Sequence, residues 1–239
     1  MPPPPMTVEP YHALTRQASL ALNAGQPQQA LAVLDQLVSR YPMKGAVHAL
    51  RAEAMRMTGR LEPAYDEARI AVGLDPNSIV GHQALADAAW GIDRLSQAQQ
   101  SYETILELEV DPGRLAQAWV RYALFMSYER APRIAEKAAM KAIDIAPDQP
   151  DAWAALGMCQ FRDRRADEAE RSLNEALKRD PDSVHARWVL ANIFRWTGQD
   201  DKAQAMAKLL EAQPEGAGFA SEITEHLRKK RYTQGIEPA

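Results

Sequence analysis

Stretches with the apolar spacing of helices alternate along this chain with short polar breaks, and the stretches come in pairs. Each pair is closed by a proline, at Pro42, Pro76, Pro112, Pro147, Pro181 and Pro214, with spacings of 34, 36, 35, 34 and 33 residues. A proline cannot continue a helix, because it lacks the N–H for the next hydrogen bond and its ring strikes the preceding turn. Within a pair, a turn near Gly25, Gly59, Asp93, Arg164 or Gly198 splits two helices. An alanine then recurs at a constant place in the second helix: Ala30, Ala64, Ala98, Ala135, Ala169 and Ala203. So small a side chain lets two antiparallel helices approach. The pattern predicts about six helix pairs, roughly 11–42, 45–76, 79–112, 116–147, 150–181 and 184–214.

After Pro214 the rhythm breaks at Glu215 to Gly218, and Phe219, Ile223 and Leu227 then fall four residues apart on one amphipathic helix. A stack of repeats needs a terminal element with an apolar inner face and a polar outer one. Residues 215–239 are therefore expected to form a capping helix and tail. Residues 1–10, with four consecutive prolines, are expected to be a flexible extended leader.

The fifth pair carries Trp153, Leu156 and Gly157, then Ala169, Leu173, Ala176 and Pro181. This order resembles the signature of the tetratricopeptide repeat (TPR) family. The fourth pair has Trp119, Tyr122, Ala123, Ala135, Ala142 and Pro147; the third has Leu85, Ala86, Ala98, Tyr102 and Ile105. The first, second and sixth pairs match less fully, and His48 and His82 stand where Trp119 and Trp153 stand in their own pairs. The resemblance covers about residues 11–214. It implies an all-α fold: a right-handed superhelical solenoid of about six antiparallel helix pairs with a C-terminal capping helix, and a concave surface lined by the first helix of each pair.

Composition supports helix, with few glycines and many strong helix formers. The formal net charge of −4 supplies no basic field for nucleic acid. One local basic run, Arg228 to Arg231, has cap stabilisation through the helix dipole, an acidic partner and a membrane surface as candidate roles. The single cysteine, Cys159, excludes an internal disulfide framework and reads as a small buried hydrophobe. Neither a secretory leader nor an apolar run long enough to span a bilayer stands out, so the expected compartment is cytoplasmic.

In the family register the concave faces present His12, Arg16, Ser19 and Asn23 in the first pair, and Glu53 and Arg56 in the second. Gln83, Asp87 and Trp90 follow in the third, and Gln117, Arg121 and Tyr128 in the fourth. Met158, Phe161 and Arg162 come from the fifth; His185, Trp188, Asn192, Arg195 and Trp196 come from the sixth. Aromatics and arginines gather toward the carboxyl end, and such residues dominate binding hot spots. Partner contact and packing between repeats stay equally open for Trp90, Phe161 and Trp196. Trp119 and Trp153 weigh toward the core, and Arg121, Arg162 and Arg195 toward solvated or paired charges.

No catalytic residue, cofactor or metal is expected. The histidines lack metal-ligand spacing, no phosphate-binding glycine loop occurs, and the carboxylate pairs Asp167–Glu168 and Asp200–Asp201 stand at helix starts, where the dipole favours them. The lysine and asparagine pattern that grips chaperone tails in some family members is absent from the predicted face. The expectation is thus a scaffold or adaptor binding a protein or peptide partner. The alternatives are a homo-oligomeric structural subunit and the recruiting subunit of a transferase complex whose catalytic part is another chain.

Overall fold

The computed structural model describes residues 8–129 and 131–233, and every element among them is helical. Most of the expected leader and the last six residues lie outside that range. The chain divides into two compact units, Met1–Glu109 and Val110–Ala239.

The first unit holds three hairpins: α1 (Val8–Asn23) with α2 (Pro27–Arg40), α3 (Gly45–Met57) with α4 (Leu61–Leu74), and α5 (Ile79–Gly91) with α6 (Leu95–Leu108). The second holds three more: α7 (Pro112–Tyr128) with α8 (Pro132–Ile145), α9 (Pro150–Arg162) with α10 (Ala166–Arg179), and α11 (Val184–Trp196) with α12 (Asp200–Glu211). It ends in α13 (Ala217–Thr233). Within each unit, the first helix of a hairpin packs on its partner, on the second helix of the hairpin before, and on the neighbouring first helices. This serial packing is the nearest-neighbour construction of a repeat protein.

The recurrent alanines explain the closeness. Ala30, Ala64, Ala98, Ala135, Ala169 and Ala203 are all fully buried. At Gly157 α9 and α10 lie so close that a Cβ would stand 2.6 Å from Leu173 Cγ. The capping helix buries Ala220, Ile223 and Leu227 against α11 and α12. Of the basic run, Arg228 and Lys229 pair with Glu225 on their own helix.

Pro112 departs from the expected pattern. It opens α7 behind an Asp111 cap, whose Oδ1 accepts from the Arg114 N–H at 2.9 Å, rather than closing the third pair. Proline is tolerated in a first helical turn, where its missing N–H has no partner to lose. Pro27, Pro132 and Pro150 start helices in the same way.

One position of the first helix has a shared task. Trp153 Nε1 donates to the Pro147 carbonyl at 2.9 Å, and His48 and His82 each direct Nε2 at the carbonyls of Pro42 and Pro76, also at 2.9 Å. Arg187 Nη2 does the same to Pro181 at 2.6 Å. In all four hairpins this side chain satisfies the carbonyl of the proline six residues earlier. Imidazole and guanidinium replace indole because each offers an N–H at the required reach. The structure places both histidines in the core, in agreement with the sequence reading, while Trp153 is half-buried beneath the Arg179 guanidinium, 4.7 Å from its centroid.

Candidate functional site

The predicted concave residues gather in two groups, one in each unit. In the first unit they are mostly engaged with one another. Arg56 makes two hydrogen bonds to Glu53, at 2.8 and 2.7 Å, and its guanidinium pKa is held above the usual value by that contact, against desolvation, with Asp87 adding to it. Gln83 donates to one oxygen of Asp87 at 3.0 Å, and the Tyr102 hydroxyl donates to the other at 2.7 Å. Trp90 is half-buried on the same helix.

In the second unit the arrangement is open and aromatic. The last turns of α7, α9 and α11 lie in register, so Tyr128, Arg162 and Trp196 occupy equivalent positions of successive hairpins. Arg162 lies over Tyr128, with its guanidinium carbon 3.9 Å from the ring centroid, and its Nε donates to the Ser127 carbonyl at 3.0 Å. Phe161 meets Trp196 edge to face at 6.2 Å between centroids. Trp196 is 59% exposed, whereas the other four tryptophans are half-buried.

These side chains wall two cavities. The larger, about 700 Å³, is lined by Ser127, Pro132, Cys159, Phe161, Arg162, Asp163, Arg164 and Trp196. The smaller, about 150 Å³, is lined by Tyr128, Met158, Phe161, Arg162, Trp188, Val189 and Asn192. Phe161 and Arg162 are common to both. Asn192 donates to the Trp188 carbonyl at 3.0 Å and accepts from Arg195 Nη2 at 2.9 Å, which fixes the arginine beside Trp196. Trp188 packs at 5.4 Å against Phe219 of the cap, so it braces one end of the site. Arg121 is exposed on α7 and lines neither cavity.

The sequence reading missed the turn residues. Asp163 and Arg164 follow α9 and reach the larger cavity, whereas the register considered only helix faces. A signal existed: Arg164 occupies a turn place held by glycine in three other hairpins. Cys159 borders the same cavity yet is buried, and burial pushes its thiol up to about 12, so it stays protonated at neutral pH. Among the described residues no cluster of histidine, cysteine or carboxylate side chains could hold a metal ion, and no helix is long and apolar enough to cross a membrane.

Tetratricopeptide repeat models match residues 15–79 and 160–217. The chain belongs to the tetratricopeptide repeat family. TPR proteins are typically non-catalytic scaffolds for protein–protein interaction. No curated protein matches this TPR chain in sequence. Solved TPR structures match its fold. Pseudomonas aeruginosa PilF is 15% identical over 91% of this chain and 98% of its own, with a TM-score of 0.67. A TPR protein of Parabacteroides merdae is 16% identical over 95% of this chain and 88% of its own, at 0.72. YrrB, described as a TPR protein with an unusual peptide-binding site, is 16% identical over 80% and 97%, at 0.50.

Proposed function

We propose that this TPR chain is an adaptor that holds a peptide or an extended protein segment against the inner face of its second unit. The carrying observation is Trp196: an indole with more than half its surface in water, set edge to face on Phe161 at the lip of a cavity of about 700 Å³. A large ring left open beside a cavity is the kind of anchor that binding hot spots use. Arg162 adds a guanidinium oriented in advance by Tyr128 and Ser127, and a side chain ordered beforehand loses less entropy on binding.

The polar groups of the first unit have largely found partners in each other, so Arg56, Gln83 and Asp87 serve as a secondary surface in this reading. YrrB, with its peptide-binding site, offers a precedent for a peptide held on this fold. The test is affinity purification with the full chain, repeated with Phe161→Ala/Trp196→Ala. The expected result is a partner retained by the parent chain and lost both by this variant and by Trp196→Ala alone, each still melting cooperatively. Retention by both variants would reject the second-unit face.

A further inference from the structure

We propose that the segment held by the Phe161–Trp196 cleft is acidic, with Asp or Glu side chains flanking an aromatic or aliphatic residue, and that Arg162 and Arg164 on its wall select it. This rests on the reading above and adds the chemistry of the occupant.

Charge around the cleft carries the argument. Arg162 and Arg164 line it, and the one carboxylate on its wall, Asp163, is already held by Arg165 at 3.0 Å. Arg165 also binds Glu136 at 2.7 Å and Glu168 at 2.9 Å, so the nearby acidic groups converge on a single cation. No carboxylate of the described residues pairs with Arg162, Arg164 or Arg195. Arg195 Nε and the indole N–H of Trp188, which lines the smaller cavity, are also buried without an acceptor among the described residues. Guanidinium and indole groups donate and do not accept, so the site is rich in donors and poor in acceptors. A carboxylate supplies only acceptors, and arginine binds it with two parallel hydrogen bonds. The exposed Trp196 ring, set on the half-buried Phe161, gives the apolar requirement between the charges.

The backbone of Arg164 makes its side chain separable from the fold by substitution. Its φ of 64° lies in the left-handed region, where Gly25, Gly59 and Gly198 occupy the matching turns at 67°, 77° and 78°. A side chain at such a place strains the turn, and the hairpin turn itself demands that conformation. Asp93, at 58° in the matching turn of the first unit, is not on the cleft wall and provides the control.

The experiment pans a phage-displayed library of random peptides on the full chain, with counter-selection on Phe161→Ala/Trp196→Ala. Enriched peptides are then titrated by fluorescence anisotropy. The expected peptides carry Asp or Glu beside an aromatic or aliphatic residue, and exchanging those acids for Asn or Gln weakens binding about tenfold or more. Arg164→Gly should raise the melting temperature while weakening binding, whereas Asp93→Gly raises it and leaves binding unchanged. Enriched peptides that are neutral or basic would overturn the acidic inference and leave the peptide reading standing. Failure to enrich any peptide over the counter-selection would overturn both. Unchanged peptide affinity in Arg164→Gly would remove that residue from the site.

Discussion

Arg162 and Tyr128, one hairpin apart, form a stacked pair: the guanidinium carbon lies 3.9 Å from the ring centroid, and Nε is tied to the carbonyl of the residue before the tyrosine. The stack fixes the direction in which the remaining guanidinium N–H groups face the cavity.

Arg162→Lys should therefore behave as a loss. Lysine keeps the charge but cannot combine the stack with the fork of donors. Because the side chain is exposed, stability should change by less than about 1 kcal/mol, while partner affinity falls by about tenfold. Calorimetric melting and titration of the bound peptide separate the two effects.

Gly157→Ala and Gly73→Ala should move stability in opposite directions. At Gly157 the added Cβ would collide with Leu173 and approach the Ala169 carbonyl at 3.2 Å, and overpacking of this kind costs about 1–3 kcal/mol. At Gly73, in the last turn of α4, nothing lies within 4 Å, so alanine should add about 0.5–1 kcal/mol through helix propensity. Urea denaturation checks both.

His82→Ala removes the donor that satisfies the Pro76 carbonyl and leaves a void beside it. A loss of about 2–3 kcal/mol is expected, from the orphaned acceptor and the missing ring together. His82→Trp should recover part of it if the new indole reaches the same carbonyl as Trp153 does in its hairpin, at 2.9 Å. Thermal melts of the two variants decide this.

Cys159 should resist alkylation in the folded chain, because burial favours the neutral thiol over the reactive thiolate. A thiol whose folded pKa lies above its ordinary value of 9.0 contributes stability that is complete below that value. That contribution fades as pH rises through about 12. The stability difference between the parent chain and Cys159→Ala should accordingly shrink above pH 9. Labelling with iodoacetamide at neutral pH should follow the global unfolding rate.

The hairpin rhythm was legible because it depends on residues with few substitutes: prolines that stop helices, and alanines at contacts too close for anything larger. Pro112 misled, since the same ring that ends a helix is also welcome at a helix start, and only the following residues distinguish the two. At the site, Phe161, Arg162 and Trp196 were placed on one face by the register that the family resemblance implies. Asn192 and Met158 share that face yet are buried, because neighbouring helices close over them, and spacing within a helix carries no information on its neighbours. The backbone of Arg164 was hidden for a different reason. Arginine advertises no left-handed conformation, and only alignment with Gly25, Gly59 and Gly198 points to it.

A photo-crosslinking benzoylphenylalanine placed at Trp196, and in a second chain at Arg171 on the exposed side of α10, tests the inner face of the second unit most directly. Irradiation in partner-containing extract should give a specific adduct from position 196 and none from position 171. An adduct from 171 with none from 196 would contradict the account.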